Sequence, residues 1–173
     1  MISTRPQSCY KLSFRGLTLI ELLVIVLIIG ILAAIALPQY NAAVLRGKLA
    51  KGMPMLKAIY EAEERHFLAT GSYATNLKDL DIGLGSCIEG SSCLVNGYLY
   101  YIDINGGYIV FYPNTSAVEW TEIALLKPFH NDGWSEGTKK GRTYCLHRNN
   151  AKFKKACKFF GGKEGEVPLA YVF

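Results

Sequence analysis

Glu21 stands directly before Leu22–Leu37, a run of sixteen residues without a charge. A carboxylate near hydrocarbon costs roughly 3 kcal/mol on insertion scales, so this one requires a partner. A cut after Gly16 would supply it, because the new α-amino group of Leu17 would lie four residues before Glu21, a cation and an anion at one helix end. The other candidates for chemistry are weaker. His66, His130 and His147 are scattered, and the sequence has no HExxH, no Gly-x-Ser-x-Gly and no phosphate-binding loop, so no catalytic residue is assigned. Asp79 and Asp81 alternate in a way that suits a carboxylate pair or a calcium ion, but a hydrated loop surface is the plainer reading. Glu61, Glu63 and Glu64 beside Arg65 read as solvated helix residues. Neither local cysteine pair has Cys-x-x-Cys spacing, and His147 beside Cys145 lacks a second His, so no metal site or cofactor is expected.

One basic cluster suggests a ligand. Lys152, Lys154, Lys155 and Lys158 interleave with Phe153 and Phe159; lysines neutralise phosphates and rings stack bases, which makes Lys152, Lys154 and Lys155 candidate nucleic-acid contacts. Against this stands an exposed loop with Phe153 or Phe159 turned into the core.

The elements that position these groups can be read in order. Leu17–Leu37 gives 21 residues with one charge, long enough to cross a bilayer core. A cleaved secretory signal is the alternative, with Ala33-Ala34-Ile35-Ala36 as its site. Glu21 and the helix-like sequence beyond Pro38 speak against it. Charge does not orient the span, because Arg5, Lys11 and Arg15 precede it while Arg46, Lys48 and Lys51 follow. From residue 39 to about residue 70 apolar side chains recur at three- and four-residue steps, including Tyr40, Val44, Met53, Leu56, Ile59 and Phe67, which predicts an amphipathic helix. Pro38 and Pro54 lack the N–H that would bond the carbonyls of Ala34 and Ala50, so kinks are expected there. Gly30 to Pro38 combines a helix-weakening glycine with such a break.

Thr70-Gly71-Ser72 ends the helix and opens a polar loop to Asp81. Tyr98–Ile104 and Tyr108–Tyr112 flank Asn105-Gly106-Gly107 as a hairpin, and Trp120–Leu126 and Arg142–Arg148 add two more strands. Asn131–Gly141 reads as an exposed loop. Cys87, Cys93, Cys145 and Cys157 lie in this half of the chain and point to an oxidising compartment, while Cys9 lies in the leader. Four cysteines allow three connectivities. Locality favours Cys87 with Cys93 and Cys145 with Cys157, the latter enclosing a basic loop. The chain of 173 residues, 50% hydrophobic, fits one domain plus a membrane segment. Removing residues 1–16 lowers the formal charge from +5 to +2, so overall charge is weak support for a nucleic-acid partner.

Gly16-Leu17-Thr18-Leu19-Ile20-Glu21-Leu22-Leu23-Val24-Ile25, followed by Gly30-Ile31-Leu32-Ala33-Ala34-Ile35-Ala36-Leu37-Pro38, closely resembles the N-terminal processing segment of type IV pilins and type II secretion pseudopilins. The stretch through Gly71-Ser72-Tyr73 resembles the helix-to-loop transition of the pilins, and Cys145–Cys157 their C-terminal disulfide region. The resemblance implies cleavage between Gly16 and Leu17 by prepilin peptidase and N-methylation of Leu17, where the family usually has Phe. It also implies an assembly role for Glu21. The fold it implies is α+β, a long N-terminal helix with a transmembrane first half packed on a small antiparallel sheet. Expected parts are a leader (1–16), a membrane and filament-core helix (17–38), an amphipathic continuation (39–70) and a disulfide-bounded head (71–173). The expected function is polymerisation into a type IV pilus, with a secretion pseudopilin or a DNA-binding minor pilin as alternatives. Implied partners are further copies of the chain, the peptidase, the inner-membrane assembly machinery and the inner membrane itself. DNA is a further possible partner. The precursor would hold its head in the periplasm, and the assembled subunit would lie in a surface pilus.

Overall fold

The computed structural model describes residues 18–105, 107–113, 123–131, 133–148, 150–164, 167 and 170–173. The expected leader (1–16), Leu17 and the first three residues of the strand expected at Trp120–Leu126 lie outside them. The chain divides into a part ending at Gln39 and a part from Tyr40 to Phe173. Helix α1, Leu19–Thr70, contributes to both, and neither Pro38 nor Pro54 ends it. In the first part every described residue from Leu19 to Leu37 is exposed except half-buried Ala33.

In the second part α1 presents a buried stripe of Leu49, Gly52, Leu56, Ile59, Ala62 and Glu63, the spacing of one helix face. That stripe packs on eight antiparallel strands: β1 (Ser86–Glu89), β2 (Ser92–Val95), β3 (Tyr98–Asp103), β4 (Tyr108–Tyr112), β5 (Ala124–Pro128), β6 (Tyr144–Leu146), β7 (Lys163–Glu164) and β8 (Ala170–Val172). Their order is β1-β2-β3-β4-β5-β6-β8-β7. The architecture is α+β, and the sheet is larger than the four strands legible beforehand. Strand alternation sorts its two faces. Ile109, Phe111 and Leu125 join the helix-side core, whereas Val110, Ala124, Leu126 and Tyr144 form a second apolar cluster on the opposite face.

Two expectations need correction. Asn131–Gly141 is not simply an exposed loop: Trp134 packs on the second apolar cluster and Thr138 is buried, because the outer sheet face needs cover. The segment between Cys145 and Cys157 is not a basic loop but ends in helix α2, Ala151–Phe159, started by Asn150, whose side chain accepts from the Lys152 N–H. Phe153, Ala156, Cys157 and Phe160 give α2 an apolar stripe at helical spacing, and that stripe turns to the core.

Candidate assembly site

Thr18 caps α1. Its N–H and its hydroxyl both donate to Glu21 Oε2, at 2.8 and 2.7 Å, and the Glu21 N–H reaches back to Thr18 Oγ1 at 3.3 Å. This is a reciprocal capping box, and Thr18-x-x-Glu21 is its sequence signature. The carboxylate thus has two donors within its own chain. Gly30 opens onto free space, and the apolar segment around it is long enough to cross a membrane by length and composition.

Three consecutive residues of α1 hold the loop that follows it. Glu63 Oε2 accepts from the Ala74 N–H at 3.0 Å. Glu64 takes the Tyr73 hydroxyl at 2.9 Å and Lys140 Nζ at 2.8 Å. Arg65 forms a two-pronged pair with Asp81 at 2.7 and 2.8 Å. The reading of all three acids as solvated therefore holds only for Glu61, which pairs with Lys57. Glu63 is fully buried, and among the described residues its Oε1 has no hydrogen-bond partner. Burial is the chief reason its carboxyl is pushed up to about 7, with the Ala74 N–H and His66 pulling down and Asp79 and Glu64 adding upward pressure. The bond to Glu64 and then the Tyr73 hydroxyl hold the Lys140 ammonium above the ordinary lysine range, against a smaller desolvation cost. Asp81 is paired with Arg65. Phe67, Tyr73, Phe129 and Tyr60 stack in sequence beside these ties, with centroids 4.7, 4.7 and 6.0 Å apart.

Cys87 bonds Cys93 across paired strands, and Cys145 bonds Cys157, fastening α2 to β6. Of the basic cluster, Lys152, Lys155 and Lys158 are exposed and Lys154 is half-buried, all on α2. Phe153 packs against the core while Phe159 stays 60% exposed.

Comparison with known proteins adds to this geometry. The model of the prokaryotic N-terminal methylation motif matches residues 11–37. The type IV major fimbrial protein FimA of Dichelobacter nodosus is 29% identical over 152 residues, covering 81% of this chain and 92% of that protein. Over most of its length the chain is similar to a type IV fimbrial subunit. The type IV major pilin protein PilA of Myxococcus xanthus is 45% identical over 60 residues, 35% of this chain and 27% of its own length. The pilin PilE of Neisseria gonorrhoeae is 27% identical over 104 residues, 60% of this chain and 59% of its own. The chain thus spans about a quarter of the Myxococcus protein and somewhat over half of the gonococcal one. No solved structure matches with significance. The matched motif and the apolar helix fit a membrane-anchored precursor.

Proposed function

We propose that the chain is a structural subunit that polymerises through α1 into a type IV pilus. The uncovered apolar stretch carries this reading. Fourteen large apolar side chains from Leu19 to Leu37 are exposed, and leaving them in water forgoes on the order of 20 kcal/mol of burial. A bilayer satisfies them first, and the same segments of neighbouring subunits satisfy them after assembly.

In this scheme prepilin peptidase cuts between Gly16 and Leu17, and Leu17 is N-methylated. The Leu17 amine of one subunit then meets Glu21 of the next. Thr18 occupies Oε2 of Glu21, which leaves the carboxylate capacity to accept a second partner. A pair that leaves water together offsets its own desolvation and fixes axial register, which a uniformly apolar interface does not do. Gly30 to Pro38 is where α1 loosens as subunits pack. The inner-membrane assembly machinery receives the precursor with its head in the periplasm.

Mass spectrometry of the N-terminal peptide, on membrane and sheared surface fractions, tests the proposal. The expected result is a chain starting at Leu17 with one added methyl group and present in the sheared fraction. A mature chain starting at Met1 or after Ala36 overturns it. A start at Leu17 confined to the membrane fraction points instead to a secretion pseudopilus.

A further inference from the structure

The head is basic at one pole, and Glu61, Glu64 and Asp81 at the other are ion-paired. The sequence has no Asp or Glu between Glu21 and Glu61, nor between Glu136 and Glu164. The fold brings these two acid-free stretches together. The Arg46 guanidinium lies 4.1 Å from the Phe159 ring centre, and Val44, Lys48, Lys152 and Phe153 line one cleft of about 200 Å³ between α1 and α2. With its apolar stripe turned inward, α2 shows Lys152, Lys155, Lys158 and Phe159 to solvent. Lys51 is exposed on the α1 face that carries Val44 and Lys48. Among the described residues, Arg46, Lys51, Lys152, Lys155 and Lys158 form no ion pair, whereas Glu61, Glu64 and Asp81 at the other pole each have a cation.

We propose that this surface docks on the phosphates of an anionic bilayer, so that the head of the unassembled subunit rests on the membrane from which α1 emerges. Three observations favour this occupant. On a second copy, Glu61, Glu64 and Asp81 are already paired with Lys57, Lys140 and Arg65, so these three carboxylates offer the patch little complementary charge. Arg46 is nine residues after Leu37, which keeps the patch within ~30 Å of chain from the end of the apolar segment, whatever path the chain takes. An exposed aromatic ring flanked by lysines is the side-chain set that settles at a bilayer interface, apolar body inward and charges among headgroups. The inference rests on the membrane-anchored precursor proposed above.

The test is amide hydrogen exchange of the full chain in nanodiscs of phosphatidylglycerol and of phosphatidylcholine. Exchange in peptides covering residues 151–160 should slow about fivefold or more in the anionic discs, and high salt should abolish the difference. The Lys152→Gln, Lys155→Gln, Lys158→Gln variant should lose the protection, with unchanged exchange in β3 and β4 reporting an intact head. Equal exchange of the unmodified chain in both lipids overturns the inference. Stronger protection by duplex DNA added to neutral discs also overturns it and makes the patch a nucleic-acid surface. If the chain fails to enter discs at all, the anchored-precursor reading is what fails.

Discussion

Glu63 sets the pH dependence expected of the head. Its folded carboxyl titrates about 7 and the unfolded one near the ordinary 4.5, so between these values the native state holds the extra proton. Stability is therefore fully present below about pH 4.5 and is lost as pH rises through about 7, the reverse of an ion-paired carboxylate. The loss between pH 5 and pH 8 amounts to roughly 2 kcal/mol. Denaturant midpoints of the chain in detergent should fall over that range, and Glu63→Gln, which keeps an acceptor for the Ala74 N–H, should remove the fall. An unchanged slope in the variant would assign the pH dependence elsewhere. The sequence shows a charged residue among charged neighbours here; only the loop returning to Ala74 buries it. Thr18 and Glu21 are the opposite case, since their bond follows from spacing alone.

At the scale of elements, the contact between α1 and the sheet depends on Gly52. A Cβ built there would stand 2.2 Å from the Phe111 ring of β4, and that ring is itself fully buried. Glycine inside a helix costs about 1 kcal/mol relative to alanine. At this site the close approach of the ring reverses the balance, so Gly52→Ala should destabilise by about 1–3 kcal/mol and lower the thermal midpoint. The two disulfides should separate in the same assay. Opening Cys145–Cys157 should cost about 3 kcal/mol and opening Cys87–Cys93 somewhat less, because the first closes the longer loop. Cys87 is half-buried while both cysteines of the other bridge are fully buried, so mild reductant should open Cys87–Cys93 first, as read by alkylation and mass mapping.

The long helix and the β3–β4 hairpin were readable because their patterns are local. The β2–β3 hairpin was not read, although Asn96-Gly97 is a local turn signal, and the structure gives both residues the positive φ that a two-residue Asn-Gly turn requires. Helix α2 is obscured in the sequence because interleaved lysines mask the Phe153, Ala156, Cys157, Phe160 stripe. Strands β7 and β8 could not be read, since two or three residues carry no period and their pairing is set by partners distant in sequence.

At the scale of the whole molecule, the apolar stretch and the head pose separate problems, and one substitution should separate them. Glu21→Ala should abolish sheared filaments while leaving the head folded, with both disulfides formed and its thermal midpoint unchanged. Normal filaments from that variant would remove Glu21 from the assembly mechanism. Head folding should be indifferent to this change because Glu21 bonds only to Thr18 among the described residues.

Glu63, Glu64 and Arg65 are successive residues on a helix, so their side chains leave the axis about 100° apart and grip the following loop from three directions. Clasps on a single face would be loaded one after another and would peel. These three are loaded together when the chain is pulled along α1, and the aromatic stack lies beside them under the same load. The loop is in effect a collar on the end of a shaft. Under tension it should give way in one event at a relatively high force, and below that force it should pass the pull from α1 into the sheet without slack.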